Sequence, residues 1–425
     1  MKIHIKNGRL IDPQNGIDAV RDVFVAAGKI VAVDQAPAGF GANRVIDATG
    51  RVVCPGLVDL AVRLREPGFE YLATLESEMK AAIAGGVTSL ACPPDTDPPL
   101  DEPGLVEMLK FRAKNLHQAH VYPVGALTTG LKGAHLTEMA ELRDAGCVAF
   151  SQAEAPFADN QVLLHALQYA STFGFPVWLR AQDPALARHG VAHDGEVATR
   201  LGLPAIPVAA EIVALSTILI MARDTGARVH IARLSSAEGV AMMRDAKARG
   251  LPVTCDIGIH HAHLSEMDIG YFDPNCNLMP PLRSQRDRDA LRAGLADGTI
   301  DALCSDHTPI DEDVKQLPFS EAEAGATGVE LLLPLALKWA AECGLGLSAA
   351  LDRITAKPAA ILGIDSGHLA PGAAADICIF DADAHWRVEP AALQSQGKNT
   401  PFSGIEVRGR VTHTLVGGLI VYEKK

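Results

Sequence analysis

The sequence predicts an α/β fold: a (β/α)8 barrel of the TIM type with a small β-domain split between the two termini. Between residues 52 and 364, eight short apolar segments alternate with longer helical segments, as in parallel strands joined by helices. Residues 1–51 and 365–425 instead show the polar–apolar alternation of strands. A chain of 425 residues is long enough for a barrel and a smaller domain.

The N-terminal part of the β-domain contains short alternating segments separated by turn signals. Asn15-Gly16 and Gly28 favour tight turns, and no helical periodicity is present before residue 52. Strands are predicted at residues 3–5, 22–26, 29–33 and 44–47.

The barrel follows as eight strand–helix pairs, and its active face is expected where the strands end. Strands are predicted at residues 57–64, 87–91, 120–125, 148–151, 177–180, 228–234, 253–257 and 302–305. Helical segments lie between the strands, for example at residues 72–84, 105–116, 161–173, 208–224, 237–248, 284–296 and 329–342. A helical piece at 349–362 packs against the exit of the barrel, and strands at 376–380, 407–415 and 419–422 complete the terminal sheet.

The composition argues against several classes of function, among them nucleic-acid binding and membrane association. The formal net charge of -13 argues against nucleic acid or an anionic membrane surface as a partner. No apolar run approaches the roughly 20 residues that cross a bilayer, and the N-terminus lacks a signal-peptide core. The eight cysteines form no Cys-x-x-Cys pair, and most lie in apolar segments. They are therefore predicted to be reduced residues of the core. The expected location is the cytoplasm.

Six motifs carry a family resemblance. The stretch from Pro55 to Gly68 begins as an apolar strand and ends in Glu66-Pro67-Gly68. It and five later segments resemble dihydroorotase motifs in dihydroorotase order, and the resemblance covers nearly the whole chain. The motifs are Leu64-Arg65-Glu66-Pro67-Gly68, Gly85-Gly86-Val87-Thr88, Ala149-Phe150-Ser151, His230-Ile231-Ala232-Arg233-Leu234-Ser235-Ser236, Pro280-Pro281-Leu282-Arg283 and Ser305-Asp306-His307-Thr308-Pro309.

The resemblance also implies where a metal site belongs. Dihydroorotases, members of the amidohydrolase superfamily, hold a divalent metal with His-x-His on strand one and an acidic residue or modified Lys on strand four. A His on each of strands five and six and an Asp on strand eight complete the set. In this chain, these positions are occupied by Ala61, Arg63, Gln152, Arg180, Arg233 and Asp306.

These residue types predict that the zinc site is lost. Zinc requires lone pairs from imidazole, carboxylate or thiolate, whereas alanine has no donor atom and arginine stays protonated with no acceptor. Gln152 offers a weak neutral oxygen, and Asp306 alone cannot hold a catalytic metal. We therefore expect no metal, no cofactor and no catalytic residue, with Asp306 as a vestigial ligand.

The substrate contacts of the family are eroded as well. On the resemblance, Arg65 is the retained carboxylate clamp, whereas Asp95 replaces an asparagine and would repel an anionic substrate. Ile310 stands in place of a histidine. Arg65 and Asp95 are thus a candidate remnant of an anion or substrate site.

The charged side chains at the strand ends allow two interpretations. Buried guanidinium groups need carboxylates, so Asp306 is expected to pair with one of the arginines, with Glu66 and Asp183 as further partners. The alternative is that Arg63, Arg180 and Arg233 form an anion pocket, because arginine suits bidentate carboxylate recognition. Internal salt bridges are the favoured interpretation.

The resemblance therefore implies a non-catalytic dihydroorotase homologue in pyrimidine biosynthesis. Such chains serve as partner subunits of bacterial aspartate carbamoyltransferase, which implies the catalytic subunit of that enzyme as a partner in a homo- or hetero-oligomer. One alternative is an active zinc-dependent dihydroorotase, or a related cyclic-amide hydrolase, using displaced ligands: His260, His261 or His307 with Asp306. Another is a small-molecule sensor that uses Arg65 and the arginines.

Overall fold

In the computed structural model, which describes residues 1–424, eight parallel strands follow one another in sequence order around a barrel. Each strand pairs in parallel with the next, as Val229 does with Val253. An isolated bridge between Val62 and His307 joins the first strand's continuation to the last. The barrel strands are Leu57–Asp59, Val87–Cys92, His120–Ala126, Ala149–Ser151, Val177–Leu179, Val229–Ile231, Val253–Gly258 and Ala302–Cys304. The predicted α/β barrel is confirmed.

The first barrel strand is shorter than predicted. It was expected over residues 57–64 but ends at Asp59. The buried Asp59 carboxylate accepts hydrogen bonds from the backbone N–H groups of Ala61 (3.2 Å) and Ser305 (3.0 Å). Because a side chain takes these donors, the regular ladder stops there.

The helices on the outside of the barrel match the predicted segments closely. They are Leu75–Ala84, Pro103–Leu116, Asn160–Phe173, Val208–Thr225, Ala237–Ala248, Gln285–Asp297 and Leu332–Glu342, followed by Leu347–Asp352 and Ala356–Leu362. The two-turn helix Met139–Ala145 was not predicted, because seven residues show too little periodicity. Within the described chain, none of the helices has both the length and the apolarity that crossing a bilayer requires.

The two termini form one sheet, as predicted. Its strands are Lys2–Asp12, Ile17–Ala26, Lys29–Val33, Arg44–Asp47, Val52–Pro55, Ile377–Arg387, Glu406–Val416 and Leu419–Glu423. Val52–Pro55 is the link, since it runs parallel to Lys2–Asp12 and antiparallel to Ile377–Arg387. This sheet therefore extends to Pro55, whereas the predicted boundary of the N-terminal part lies at residue 51. A separate hydrophobic core that includes Ile3, Val53 and Ile379 holds the sheet together.

Candidate functional site

Three arginines converge at the carboxyl ends of the barrel strands. Arg63 follows the first strand, Arg180 the fifth and Arg233 the sixth. Their side chains are only 10%, 7% and 8% exposed. The backbone of Arg233 is left-handed, with φ of 55°, a conformation that is uncommon outside glycine and that concentrates at functional sites. The structure thus brings together the three arginines at positions predicted from the family pattern.

Glu154 holds the three arginines together, and sequence reasoning missed it. It lies in the loop after the fourth strand, two residues beyond Gln152. One carboxylate oxygen is 3.2 Å from Arg63 Nη2 and also contacts Arg233, while the other contacts Arg180. Burial would raise the pKa of Glu154, but the charges of the arginines lower it to about 2. The carboxylate is therefore ionised at neutral pH and acts as an internal counter-ion.

Two further carboxylates complete the cluster. Asp306 Oδ1 lies 3.3 Å from Arg63 Nη1 and 3.1 Å from Arg233 Nη1, which confirms the expected pairing of Asp306. Asp95 Oδ2 accepts a hydrogen bond from Arg63 Nε at 2.8 Å. Burial raises the pKa of Asp306 despite the neighbouring arginines. Three guanidinium groups and three carboxylates thus face one another, and we call these six residues the arginine–carboxylate cluster.

The other two expected ion-pair partners of the arginines lie elsewhere, so those predictions were wrong. Glu66 accepts the backbone N–H of Leu75 at 2.8 Å and pairs with Arg112. Asp183 accepts the N–H of Leu186 at 2.9 Å and caps a short helix. Both carboxylates instead satisfy the free N–H groups at helix starts, a competing demand that sequence proximity does not reveal.

Gln152 and Ala61 contribute no free ligand atom to the cluster. The Gln152 Oε1 accepts a hydrogen bond from Thr128 Oγ1 at 2.9 Å, and its Nε2 donates to the carbonyl of Leu131 at 2.9 Å. The Ala61 backbone carbonyl accepts the N–H of His307 at 2.9 Å. Gln152 therefore anchors the loop after the third strand, and Ala61 supports barrel closure.

The histidines considered as displaced ligands have structural contacts. His261 Nε2 is 3.0 Å from the carbonyl of Pro280, and the ring of His260 stacks on Phe402 with centroids 5.6 Å apart. His307 Nε2 is 2.6 Å from the buried Glu78, while its Nδ1 accepts backbone N–H groups. Burial lowers the pKa of His260 to about 3 and that of His261 to about 4. The rings of His260 and His261 are therefore neutral at pH 7, and all three histidines contact neighbouring protein groups near the strand ends.

The donor set therefore does not fit the divalent metal that the family implies. In residues 1–424, no group of three or more His, Cys, Asp or Glu side chains is arranged to hold a metal ion. At the expected position, guanidinium groups place fixed positive charge, and the carboxylate of Asp306 is already engaged by two of them. A cation entering there would have to displace three arginines from three carboxylates.

Arg65 is a fourth buried cation beside the cluster. Its Nε donates to the carbonyl of Pro309 at 2.9 Å, and its Nη2 lies 3.6 Å from the half-exposed Glu323. The guanidinium lies over the ring of Phe69, 5.9 Å from the centroid. Burial and the nearby charge of Arg63 lower the pKa of Arg65. It contacts protein groups on the loop after the eighth strand.

Known proteins share both the sequence and the architecture. A family described as "Dihydro-orotase-like" matches residues 50–239. A "Dihydroorotase-like protein" of Pseudomonas aeruginosa is 44% identical over all of both chains, and a "Dihydroorotase" of Geobacter sp. (strain M21) is 41% identical, also over all of both chains. The solved structure of an L-hydantoinase (dihydropyrimidinase) from Arthrobacter aurescens matches with a TM-score of 0.89 and 26% identity, covering 99% of this chain and 96% of the other.

Proposed function

Because the chain belongs to the dihydroorotase-like family of the amidohydrolase superfamily, we propose that it is a non-catalytic member acting in pyrimidine biosynthesis. Its role is to support the assembly of aspartate carbamoyltransferase as a structural subunit. The observation that carries the proposal is the arginine–carboxylate cluster. Three family ligand positions hold arginines, and their charges are neutralised by Glu154, Asp95 and Asp306.

The chemistry of the cluster supports the absence of turnover. Closing or opening a cyclic amide in this family depends on a metal that activates water and polarises the carbonyl. Guanidinium groups supply hydrogen bonds and charge but no lone pair. Their donors are used on neighbouring carboxylates and on carbonyl oxygens such as that of Met279. The side chains at these positions therefore stabilise the barrel mouth.

The retained frame supports a structural role. The fold matches a hydrolase over almost its whole length, and an intact barrel with a filled mouth offers rigid outer surfaces to another protein. The partner, the transferase catalytic subunit, is taken from the family resemblance, in which non-catalytic members accompany that enzyme. The proposal thus expects that a surface of this chain binds the transferase catalytic subunit, and binding experiments test that expectation.

A second candidate has support from the relatives. Proteins named dihydroorotase are about as similar to this chain as the relative named dihydroorotase-like. On sequence likeness, an active zinc-dependent hydrolase of cyclic amides is therefore supported equally. Such an enzyme would have to bind zinc through residues other than those at the family ligand positions that arginines occupy here.

Three measurements on the purified chain distinguish the candidates. We expect less than one zinc in ten chains by elemental analysis, and no interconversion of dihydroorotate and carbamoyl aspartate after incubation with zinc. Co-elution with the transferase catalytic subunit at micromolar concentration is expected by gel filtration. About one zinc per chain together with turnover would establish the hydrolase instead, and separate elution would contradict the partnership.

A further inference from the structure

Three neighbouring loops form one continuous part of the barrel mouth. They are residues 60–74 after the first strand (loop one), 259–284 after the seventh (loop seven) and 305–328 after the eighth (loop eight). The seventh and eighth strands pair directly, and the Val62–His307 bridge brings the first beside the eighth. Lys315 Nζ of loop eight donates to the carbonyl of Pro274 in loop seven at 2.9 Å. The loops therefore form one surface.

Large apolar side chains are exposed on this surface. Tyr271 is 91% exposed and Tyr71 67%, with Met267 at 59% and Leu317 at 43%. Of the five tyrosines in the chain, these two are the exposed ones, and both lie on the three loops. Exposed aromatic anchors of this kind mark interaction sites, because they provide a large contact area with few rotatable bonds.

A cavity lies between the loops. Its volume is about 400 Å³, and residues of all three loops line it, among them Tyr71, Asn275, Glu312 and the buried Lys315. The segment between the strands Ile377–Arg387 and Glu406–Val416 forms the remaining wall and includes Lys398. Tyr271 is four residues before Asn275. The two tyrosines thus belong to the loops that border a concave site, the arrangement in which interface anchors meet a partner's side chains.

The charge on this surface is one-sided. Every Lys and Arg of the three loops is buried: Arg63, Arg65, Arg283 and Lys315. The acidic residues of the same loops include six that are exposed: Glu70, Asp268, Glu312, Asp313, Glu321 and Glu323. The surface therefore presents negative charge around apolar anchors and selects a positively charged partner surface.

We propose that the surface formed by Tyr71, Met267, Tyr271, Leu317 and the acidic side chains around them binds a basic segment of a partner protein. This inference rests on the proposed function and specifies its docking face: the partner is the transferase catalytic subunit, and the contact lies over the barrel mouth. The arginine–carboxylate cluster makes such a contact compatible with the chain's role, because the mouth behind the loops is filled with ion pairs.

The test compares matched aromatic truncations in the full-length chain. Affinity for the transferase catalytic subunit is measured by surface plasmon resonance for wild type, Tyr271→Ala, Tyr71→Ala and the control Phe111→Ala. Phe111 is 68% exposed but lies on the helix Pro103–Leu116, outside the three loops. We expect Kd to rise at least tenfold for each tyrosine variant and less than twofold for the control. Circular dichroism checks that all variants fold.

A charge-reversal arm tests the electrostatic part. Glu312→Lys with Asp313→Lys should slow association at least tenfold at low salt, and raising the salt should reduce the difference from wild type. If wild type binds but both tyrosine variants and the charge variant bind equally well, the docking face is wrong while the proposed function stands. If the variants alter only self-association in sedimentation, a second copy occupies the surface and the inference is overturned. If wild type does not bind the transferase, both proposals fail.

Discussion

Glu154→Gln is expected to lower the free energy of unfolding by about 3 kcal/mol, near the lower end of the cost of breaking a buried ion pair. One carboxylate serves three guanidinium groups. Glutamine keeps the size but removes the charge, so Arg180 loses its ion-pair partner in the described chain while remaining 7% exposed. The 34% exposure of the Glu154 side chain allows water to compensate partly, which places the effect at the low end.

Urea unfolding followed by circular dichroism measures this effect. The matched control is Glu141→Gln, an exposed glutamate on the helix Met139–Ala145, which should change stability by less than about 0.5 kcal/mol. Equal stability of Glu154→Gln and wild type would show that the cluster is not a buried ion-pair network.

Acidification from pH 6.5 to pH 4 is expected to destabilise the protein by several kcal/mol, through the buried His260 and His261 and the half-buried His263. Burial lowers the pKa of His260 to about 3 and the pKa values of His261 and His263 to about 4. In the unfolded chain their pKa is about 6.5. Below that pH the unfolded state binds more protons than the native state, so stability falls as pH falls, by about 1.4 kcal/mol per pH unit for each histidine.

Glu154 adds to the acid loss at lower pH. Its native pKa of about 2 lies below the unfolded value of about 4.3. The stability it contributes is therefore present above that value and disappears as pH falls toward 2. The histidines dominate between pH 6.5 and 4, and the carboxylate dominates below.

The histidine contribution is checked by urea unfolding at closely spaced pH values. His263→Gln should reduce the slope of stability against pH by up to about 1.4 kcal/mol per pH unit between pH 6.5 and 4, since one titrating group is removed. Other groups keep their contributions, among them Asp59, whose raised pKa of about 6 opposes the loss. The matched control is His385→Gln, because His385 is 61% exposed and pairs with Glu406 across the terminal sheet. An unchanged slope in His263→Gln, or a reduced one in the control, would assign the acid sensitivity to other groups.

The fold was predictable because its signal repeats. Eight apolar segments that alternate with helical ones indicate parallel strands even where a boundary shifts, as at Asp59, where a buried carboxylate ends the ladder. The three arginines were placed from the family resemblance, which puts the metal-ligand positions at the ends of these strands. The helix Met139–Ala145 was missed since two turns carry little periodicity.

The partners of the arginines were harder to predict. Asp306 lies two residues after the eighth strand, and its pairing with the arginines followed from charge alone. Glu154 lies in an irregular loop, where no helical or strand periodicity predicts which way a side chain points. Only the need of three buried arginines for further carboxylates indicates such a residue. Glu66 and Asp183 are close in sequence to Arg63 and Arg180, but their carboxylates accept backbone N–H groups at the starts of helices. Competition between caps and ion pairs depends on distances that the sequence does not contain.

The pairing of Val52–Pro55 with strands from both ends of the chain sets an order of events during synthesis. Its antiparallel neighbour, Ile377–Arg387, leaves the ribosome more than 300 residues later. Until then one edge of Val52–Pro55 stays open to other extended chains. A nascent or prematurely terminated product would therefore need chaperone protection along this edge. An affinity tag should be added after the last strand, and the last strand should not be removed to make room for it.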